Sequence, residues 1–176
     1  MKGKGFDEAR AGWFVGQDLG AAASYSPQSA QKLFRLVGRG HGEWLSKNVK
    51  VSIEKIRAST APGVTDYGTF SIVLRMLRDT DTNVQVLERF DNLTLDPSSP
   101  NFAARRLGDI YYQWSDTTRR LTQYGEYPNQ SKYVYVDMNE DVEMGATDAT
   151  LLPFGYYGPP KFTDVTSWDG HTGSAA

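Results

Sequence analysis

Two histidines, an aspartate-rich turn and a short acidic run are the places where this chain could do chemistry. His41 sits inside Gly38-Arg39-Gly40-His41-Gly42, where an imidazole among glycines could serve a phosphate or a metal ion. The glycines argue for a plainer role, a bulge or turn, because they break regular structure and supply positive-φ positions. The segment is not a dinucleotide fingerprint, since the third glycine of G-x-G-x-x-G would fall on Glu43. His171 lies in a small, polar C-terminal stretch expected to fray, a poor platform for catalysis. Asp79, Asp81 and Asn83 have the opening spacing of an EF-hand loop, but its glycine position holds Val84 and its bidentate glutamate position holds Phe90. A hairpin turn is expected there, able at most to pick up a surface ion.

Glu140, Asp141 and Glu143 carry enough carboxylates for the acid/base pair of glycoside hydrolysis. That chemistry needs two carboxyls separated across a cleft, which neighbours on one segment rarely provide. A solvated acidic surface is expected instead. Arg105-Arg106 and Arg119-Arg120 are isolated doublets, able to bridge to another subunit but solvated by default. No P-loop, G-x-S-x-G elbow or H-E-x-x-H pair occurs. The chain has no cysteine, which removes disulfides, thiolate nucleophiles and cysteine zinc sites, and is compatible with a reducing compartment. No catalytic, cofactor-binding or metal-binding residue is therefore assigned, no cofactor is expected, and the expectation is a chain that is not an enzyme.

The elements that would hold any such site must come from 176 residues, a length that fits one domain. Hydrophobic residues make up 39% and aromatics 12%, enough to build a core. A formal charge of −2 argues against direct nucleic-acid binding. No apolar run approaches the roughly 20 residues of a membrane span, so no membrane insertion is expected. Met1 to Asp7 is basic without an apolar stretch behind it, unlike a signal peptide, and the product is expected to be intracellular where it is made. On that expectation the sequons at Asn92-Leu93-Thr94 and Asn129-Gln130-Ser131 carry no information.

Strands dominate the pattern. Trp13-Phe14-Val15 reads as a short strand, and Leu33 to Val37 as another. Between them, after Ala21-Ala22-Ala23, Pro27 could open a helical turn through Ser29, Ala30 and Leu33. Val49, Val51 and Ile53 alternate with polar neighbours as a half-buried strand does. Ser59 to Gly68, with Pro62-Gly63, reads as a loop. Phe70, Ile72, Leu74 and Met76, then Val84, Val86, Glu88 and Phe90, make two alternating runs around the Asp79 to Asn83 turn, an antiparallel hairpin. The chain leaves that strand at Asn92. Ser99 and Pro100 supply an N-cap and first residue for a helix presenting Phe102, Ala103, Leu107 and Ile110 to the core and Arg105 and Arg106 to solvent. Tyr111 to Trp114 either extends that helix or begins the next element. Lys132 to Met138 reads as a strand through Tyr133-Val134-Tyr135-Val136. The prolines and glycines of Leu151 to Pro160 forbid a long helix or central strand, leaving an aromatic loop packed on the body. The expected fold is α+β and β-rich, an antiparallel two-layer β-sandwich or sheet flanked by a few short helices. It forms a single domain over residues 1–176, with a core of about 27–162 and a frayed tail at 166–176.

Several of these segments recur together in one family. They are Leu33-Phe34-Arg35-Leu36-Val37, Gly42-Glu43-Trp44, Lys47-Asn48-Val49-Lys50-Val51-Ser52-Ile53 and Glu88-Arg89-Phe90-Asp91-Asn92-Leu93. An aliphatic strand, a glycine–aromatic turn and an alternating strand precede a hairpin ending in E-x-F-x-N-L, a proline-containing loop and a helix. In that order, through residues 27–138, the chain resembles the contractile-tail sheath proteins of myophages. Each element is ordinary β-domain grammar, and the specificity lies in their order and spacing. The chain is much shorter than a full sheath subunit and lacks the family's C-terminal assembly domain, so the resemblance implies an excised middle domain from a large phage. No family role attaches to Leu151 to Lys161.

The resemblance implies a structural part of the virion tail sheath, assembled in the host cytoplasm. Sheath subunits stack helically around a tail tube and slide into a shorter, wider lattice that drives the tube through the host envelope. Its partners would be other sheath subunits, and the isolated piece is expected to be a monomer. The alternative is a carbohydrate-binding or adhesion β-domain using surface aromatics such as Trp114 or Trp168. A hydrolase acting through Glu140 is the weaker enzyme alternative, and a phage-derived contractile device is a variant of the sheath reading.

Overall fold

The strand from Thr69 to Met76 shows how the chain builds its body. Phe70, Ile72 and Leu74 point one way into the hydrophobic core, while Ser71, Val73 and Arg75 point the other way and are also buried. A strand covered on both faces must be central, and this one is. In the computed structural model, which describes residues 8–20 and 29–158, the elements in chain order are β1 (Trp13–Val15), β2 (Lys32–Gly38), α1 (Gly42–Asn48), β3 (Val49–Arg57), β4 (Thr69–Met76), β5 (Val86–Leu93), α2 (Ala103–Leu107), β6 (Tyr111–Ser115), β7 (Arg120–Tyr124), β8 (Val134–Met138), α3 (Glu140–Glu143) and β9 (Gly155–Tyr157). β4 lies between β3 and β5 in one antiparallel sheet, β8-β2-β1-β9 form a second, and β6-β7 form a two-stranded ribbon. The expected β-rich α+β fold with short helices is what the chain adopts.

The two larger sheets face each other. Phe14, Phe34, Leu36, Val136 and Met138 from one share a core with Phe70, Ile72 and Leu74 from the other. The Phe34 and Phe70 rings stack across it at 5.8 Å. Val49, Val51 and Ile53 pack against the same core, as their alternation requires. Helix α2 packs on both β5 and β8, so its buried Ala103, Ala104 and Leu107 help close the gap between sheets. Glu88 of β5 adds a polar tie. Its carboxylate accepts bonds from Ser131 Oγ (2.6 Å) and Lys132 N–H (2.9 Å), just ahead of β8.

Several expectations need correction. The chain does not leave β5 at Asn92. The pairing runs from Ile72 with Phe90 to Phe70 with Leu93, so β5 advances three residues while β4 advances two. Asn92, at φ +57°, absorbs the extra residue as a bulge, which brings Leu93 inward with Phe90. Val84 lies outside the strand and is exposed. Gly38 to Gly42 supply no positive φ. Gly38 lets Leu45 pack close on β2, since a Cβ there would meet Leu45 Cδ1 at 2.4 Å and displace that side chain, and Gly42 opens α1, so Gly42-Glu43-Trp44 is the first turn of a helix.

The helix expected from Ser99 starts at Ala103. Ser99 caps a turn instead, accepting the Asn101 N–H at 3.2 Å on its hydroxyl and the Phe102 N–H at 3.1 Å on its carbonyl. The helix ends at Leu107, so Ile110 is outside it and Tyr111 begins a strand. The partner strand β7 was not expected, and Arg119, at φ +51°, closes the turn before it. The Leu151 to Pro160 stretch contains a three-residue strand, β9, at the sheet edge, where proline-rich sequence is tolerated. The helical turn at Pro27, the segment Ala21-Ala22-Ala23, the tail 166–176, His171 and Trp168 lie outside the described residues. Among the described residues no helix is long and apolar enough to cross a membrane.

Candidate functional site

The residues singled out for chemistry are dispersed. His41 is exposed and caps α1, its Nδ1 accepting the Trp44 N–H at 3.4 Å. That is neither the bulge nor the turn expected of it. Glu140, Asp141 and Glu143 all sit on α3 and are exposed, with Asn139 as N-cap. Arg105 and Arg106 face solvent, Arg105 lying 5.1 Å over the Tyr127 ring. Among the described residues no group of three or more His, Asp or Glu is placed to hold a metal ion.

Asp79 is where the turn reading falls short. Its side chain is fully buried and takes bonds from Arg75 Nε (2.7 Å), Arg75 Nη2 (3.0 Å) and the Gln85 N–H (2.9 Å), with Lys50 Nζ at 2.6 Å. Lys50 and Arg75 stand opposite each other in the β3–β4 register, so two cations share a place that needs an anion between them. Arg75 also reaches Asp81 at 3.0 Å. The Arg75 bonds, helped by Lys50 and Gln85 against the cost of burial, hold the Asp79 carboxyl well below its usual value. A carboxyl lowered on folding contributes stability above its unfolded pKa of about 3.9, lost as pH falls toward the folded value. Stability should therefore decline as pH falls below about 4. Asp79→Asn should lower the denaturation midpoint at neutral pH and flatten that acid limb, as urea titrations at neutral and acid pH would register. This cluster is structural, on the outer face of the β3-β4-β5 sheet.

The outer face of the other sheet carries something different. Arg35 of β2 and Asp137 of β8 are register partners, joined Nε to Oδ2 at 2.5 Å and only half-buried. The Arg35 guanidinium lies 4.8 Å over the Trp13 ring. One register step away, Tyr135 stacks on Tyr111 at 5.5 Å, and Tyr111 stacks on Tyr124 at 5.2 Å, which lays the β6–β7 ribbon against the sheet. Burial, then the Glu8 carboxylate, pushes the Tyr135 hydroxyl far above its ordinary pKa. It therefore stays protonated and donates to Glu8 Oε2 at 3.2 Å. Glu8 in turn lies 3.7 Å from Arg10. Glu8, Arg10, Arg35, Tyr111, Tyr135 and Asp137, with residues 112–114 of β6, line an open cavity of about 430 Å³.

A second hollow of about 400 Å³ opens on another side of the ribbon, where Asp109, Glu126, Asp137, Glu140 and Glu143 gather around Tyr111, Tyr124 and Tyr127. Glu143 is exposed as a residue, but the hollow partly desolvates its carboxyl, and this, followed by the charges of Asp109, Asp137 and Glu140, pushes that carboxyl up. Asp109 is occupied structurally: its Oδ1 accepts the N–H groups of Glu126 (2.9 Å) and Tyr127 (2.6 Å) and pins the end of the ribbon.

Sequence reasoning singled out Trp114 as a surface aromatic but missed Arg35, Tyr135 and Asp137. A signal was present. Arg35 is the one charge inside the apolar run Leu33 to Val37 and Asp137 the one charge in β8, and an outward face of one strand tends to meet that of another. What could not be read is the register that makes them neighbours. Comparisons of the chain with protein-family models, with curated proteins and with solved structures found no match.

Proposed function

We propose that the chain is a rigid structural module of a contractile phage tail sheath, carried in a helical stack of subunits around the tail tube. What supports this reading is that the segments carrying the resemblance build both layers of one core. Leu33 to Val37 lies in β2 of one sheet, while Val49 to Ile53, after the end of α1 at Lys47 and Asn48, and Glu88 to Leu93 lie in β3 and β5 of the other. The Phe34–Phe70 stack and the Glu88 bonds to Ser131 and Lys132 tie these layers together. A body tied in this way moves as a unit, as a sheath that slides and rotates its subunits requires, with the energy change placed at contacts between subunits. Exposed apolar side chains such as Leu121 on β7 and Phe154 beside β9 offer surface for those contacts. In this reading the module acts without catalysis, in the virion tail after assembly in the host cytoplasm. It contacts neither nucleic acid nor membrane, and the purified chain is a monomer.

Antibodies raised against the purified chain test the proposal by gold labelling of phage particles in the electron microscope. Label should run along the whole tail in both extended and contracted particles. Label restricted to the capsid or baseplate, or absent from contractile tails, would reject it.

A further inference from the structure

We infer that the free edge of β3 at residues 49–53, together with the apolar cleft beside it, accepts an extended peptide strand that carries apolar residues at alternate positions. β3 pairs with β4 alone, so its other edge has no partner strand. Two bonds at the end of the pairing fix which backbone groups lie on that edge. Leu77 N–H donates to the Asn48 carbonyl across the strands, whereas Met76 N–H turns the other way, to the Gln85 carbonyl. Backbone groups alternate in direction along a strand, so Lys50 and Ser52 turn theirs toward β4, and Val51 and Ile53 turn theirs away. The Val49 N–H donates to Leu45 and closes α1. That leaves the Val49 carbonyl and both backbone groups of Val51 and Ile53 without a partner among the described residues. Such a row is a template for another strand. The usual guards against pairing are missing from it. No proline or bulge interrupts residues 49–53, and their one charged side chain, Lys50, is held by Asp79 on the outer face. Lys55, at φ +52°, ends the flat stretch with a bulge.

The cleft, about 420 Å³ and mostly apolar, decides which strand fits. Phe14 and Leu36 line it from the inner face of one sheet, and Tyr156, the register partner of Phe14, shares that face. Val49 and Val51 line it from the inner face of the other sheet, and Leu45 of α1 bounds it. Among the described residues no lining group comes from β4, so the cleft opens beside β3 rather than beneath the sheet. In an antiparallel addition the residue opposite Val51 points to the same face as Val51 does. Its inward neighbours follow every second residue, about 7 Å apart, and enter the cleft. A small greasy molecule would fill the cleft but leave the backbone row unpaired. A second copy offering its own β3 would pair the row but leave the cleft empty, because Val49, Val51 and Ile53 of that strand are committed to their own core. A separate extended strand with alternating apolar residues meets both needs.

The inference stands apart from the sheath reading, because the edge accepts a strand whatever larger body carries the module. It is tested by NMR shifts and amide hydrogen exchange on the full isotope-labelled chain, with the end-blocked peptide Lys-Thr-Val-Thr-Leu-Thr-Val-Lys as probe. In the free chain the Val51 and Ile53 amides should exchange about tenfold or more faster than those of Lys50 and Ser52, which are bonded to β4. The peptide should saturate the chain with a dissociation constant on the order of 0.1 mM. At about 2 mM it should slow exchange at Val51 and Ile53 about tenfold or more. The same peptide with proline in place of its leucine should not bind. Val51→Pro should keep the β4 ladder, which does not use that N–H, and weaken binding about tenfold or more. Urea titration checks that the variant folds, and the exchange data on the unaltered chain keep the test decisive if it does not. Slow exchange at Val51 and Ile53 in the free chain would overturn the inference. It would mark the edge as already covered, by another segment of the chain if independent of concentration, or by a second copy if it grows with concentration. Absence of saturation up to about 5 mM, equal binding of the proline peptide, or unchanged binding by folded Val51→Pro would each overturn it as well.

Discussion

Phe34→Ala should remove about 3–5 kcal/mol of folding free energy, the usual cost of deleting a fully buried phenylalanine. Phe34 has no exposed surface, stacks on Phe70 from the opposite sheet at 5.8 Å and meets Phe14 of its own sheet at 5.0 Å. Its loss would open a hole where the layers touch, and close packing elsewhere leaves little room for collapse. Domains of this size are stable by about 5–15 kcal/mol, so the variant would keep only part of its margin. In denaturant the midpoint should fall while the slope is unchanged, since the surface exposed on unfolding hardly differs. Phe154→Ala is the matching control. That ring is 74% exposed, and its removal should change stability by less than about 0.5 kcal/mol. A double-mutant cycle between Phe34 and Phe70 should return about 0.5–1.5 kcal/mol of coupling. A loss under about 1 kcal/mol for Phe34→Ala would mean the two sheets do not share a core.

The parts of the fold legible in the sequence are those where the residues facing the core follow the strand period. Val49, Val51 and Ile53, and Phe70, Ile72 and Leu74, alternate because one side of each strand meets the core. The β6–β7 ribbon was not fully legible for the opposite reason. Tyr112, Trp114, Leu121 and Tyr124 are all exposed, so no inside face imprints a pattern on Arg120 to Tyr124. Bulges hide information too, since Lys55 and Asn92 at positive φ each shift the inward set by one residue. Asp79 looks like a turn former because its neighbours are Thr80, Asp81 and Asn83, yet its burial depends on Lys50, on another strand. The same holds for the outer face of the other sheet. Arg35 and Asp137 are 102 positions apart, and only the register of β2 on β8 makes them partners.

The end of α2 is the sharpest case of a local choice dictated from far away, and Gly108→Ala should expose it. Gly108 lies at φ +98°, ψ 152°, a region almost reserved for glycine that costs other residues on the order of 1–3 kcal/mol. Strain is only part of the penalty. A Cβ there would stand 2.2 Å from the Cα of Asn129, a backbone atom that cannot swing aside. Nor can Gly108 easily retreat. Its N–H donates to Ala104 at 2.7 Å, its carbonyl accepts the Val136 N–H at 2.8 Å, and Leu107 O beside it takes the N–H groups of Gln130 and Ser131. Moving it would draw α2 away from β8. The expected loss is therefore about 3 kcal/mol or more, above the dihedral cost alone. Gly63→Ala separates the two contributions, because Gly63 also has positive φ, at +86°, but a Cβ there would meet nothing within 4 Å. It should lose only about 1–2 kcal/mol. Equal losses in the two variants, read from urea midpoints, would show that the approach of Asn129 to Gly108 contributes nothing. α2 would then end for local reasons rather than because the Asn129 backbone occupies the space that a side chain needs.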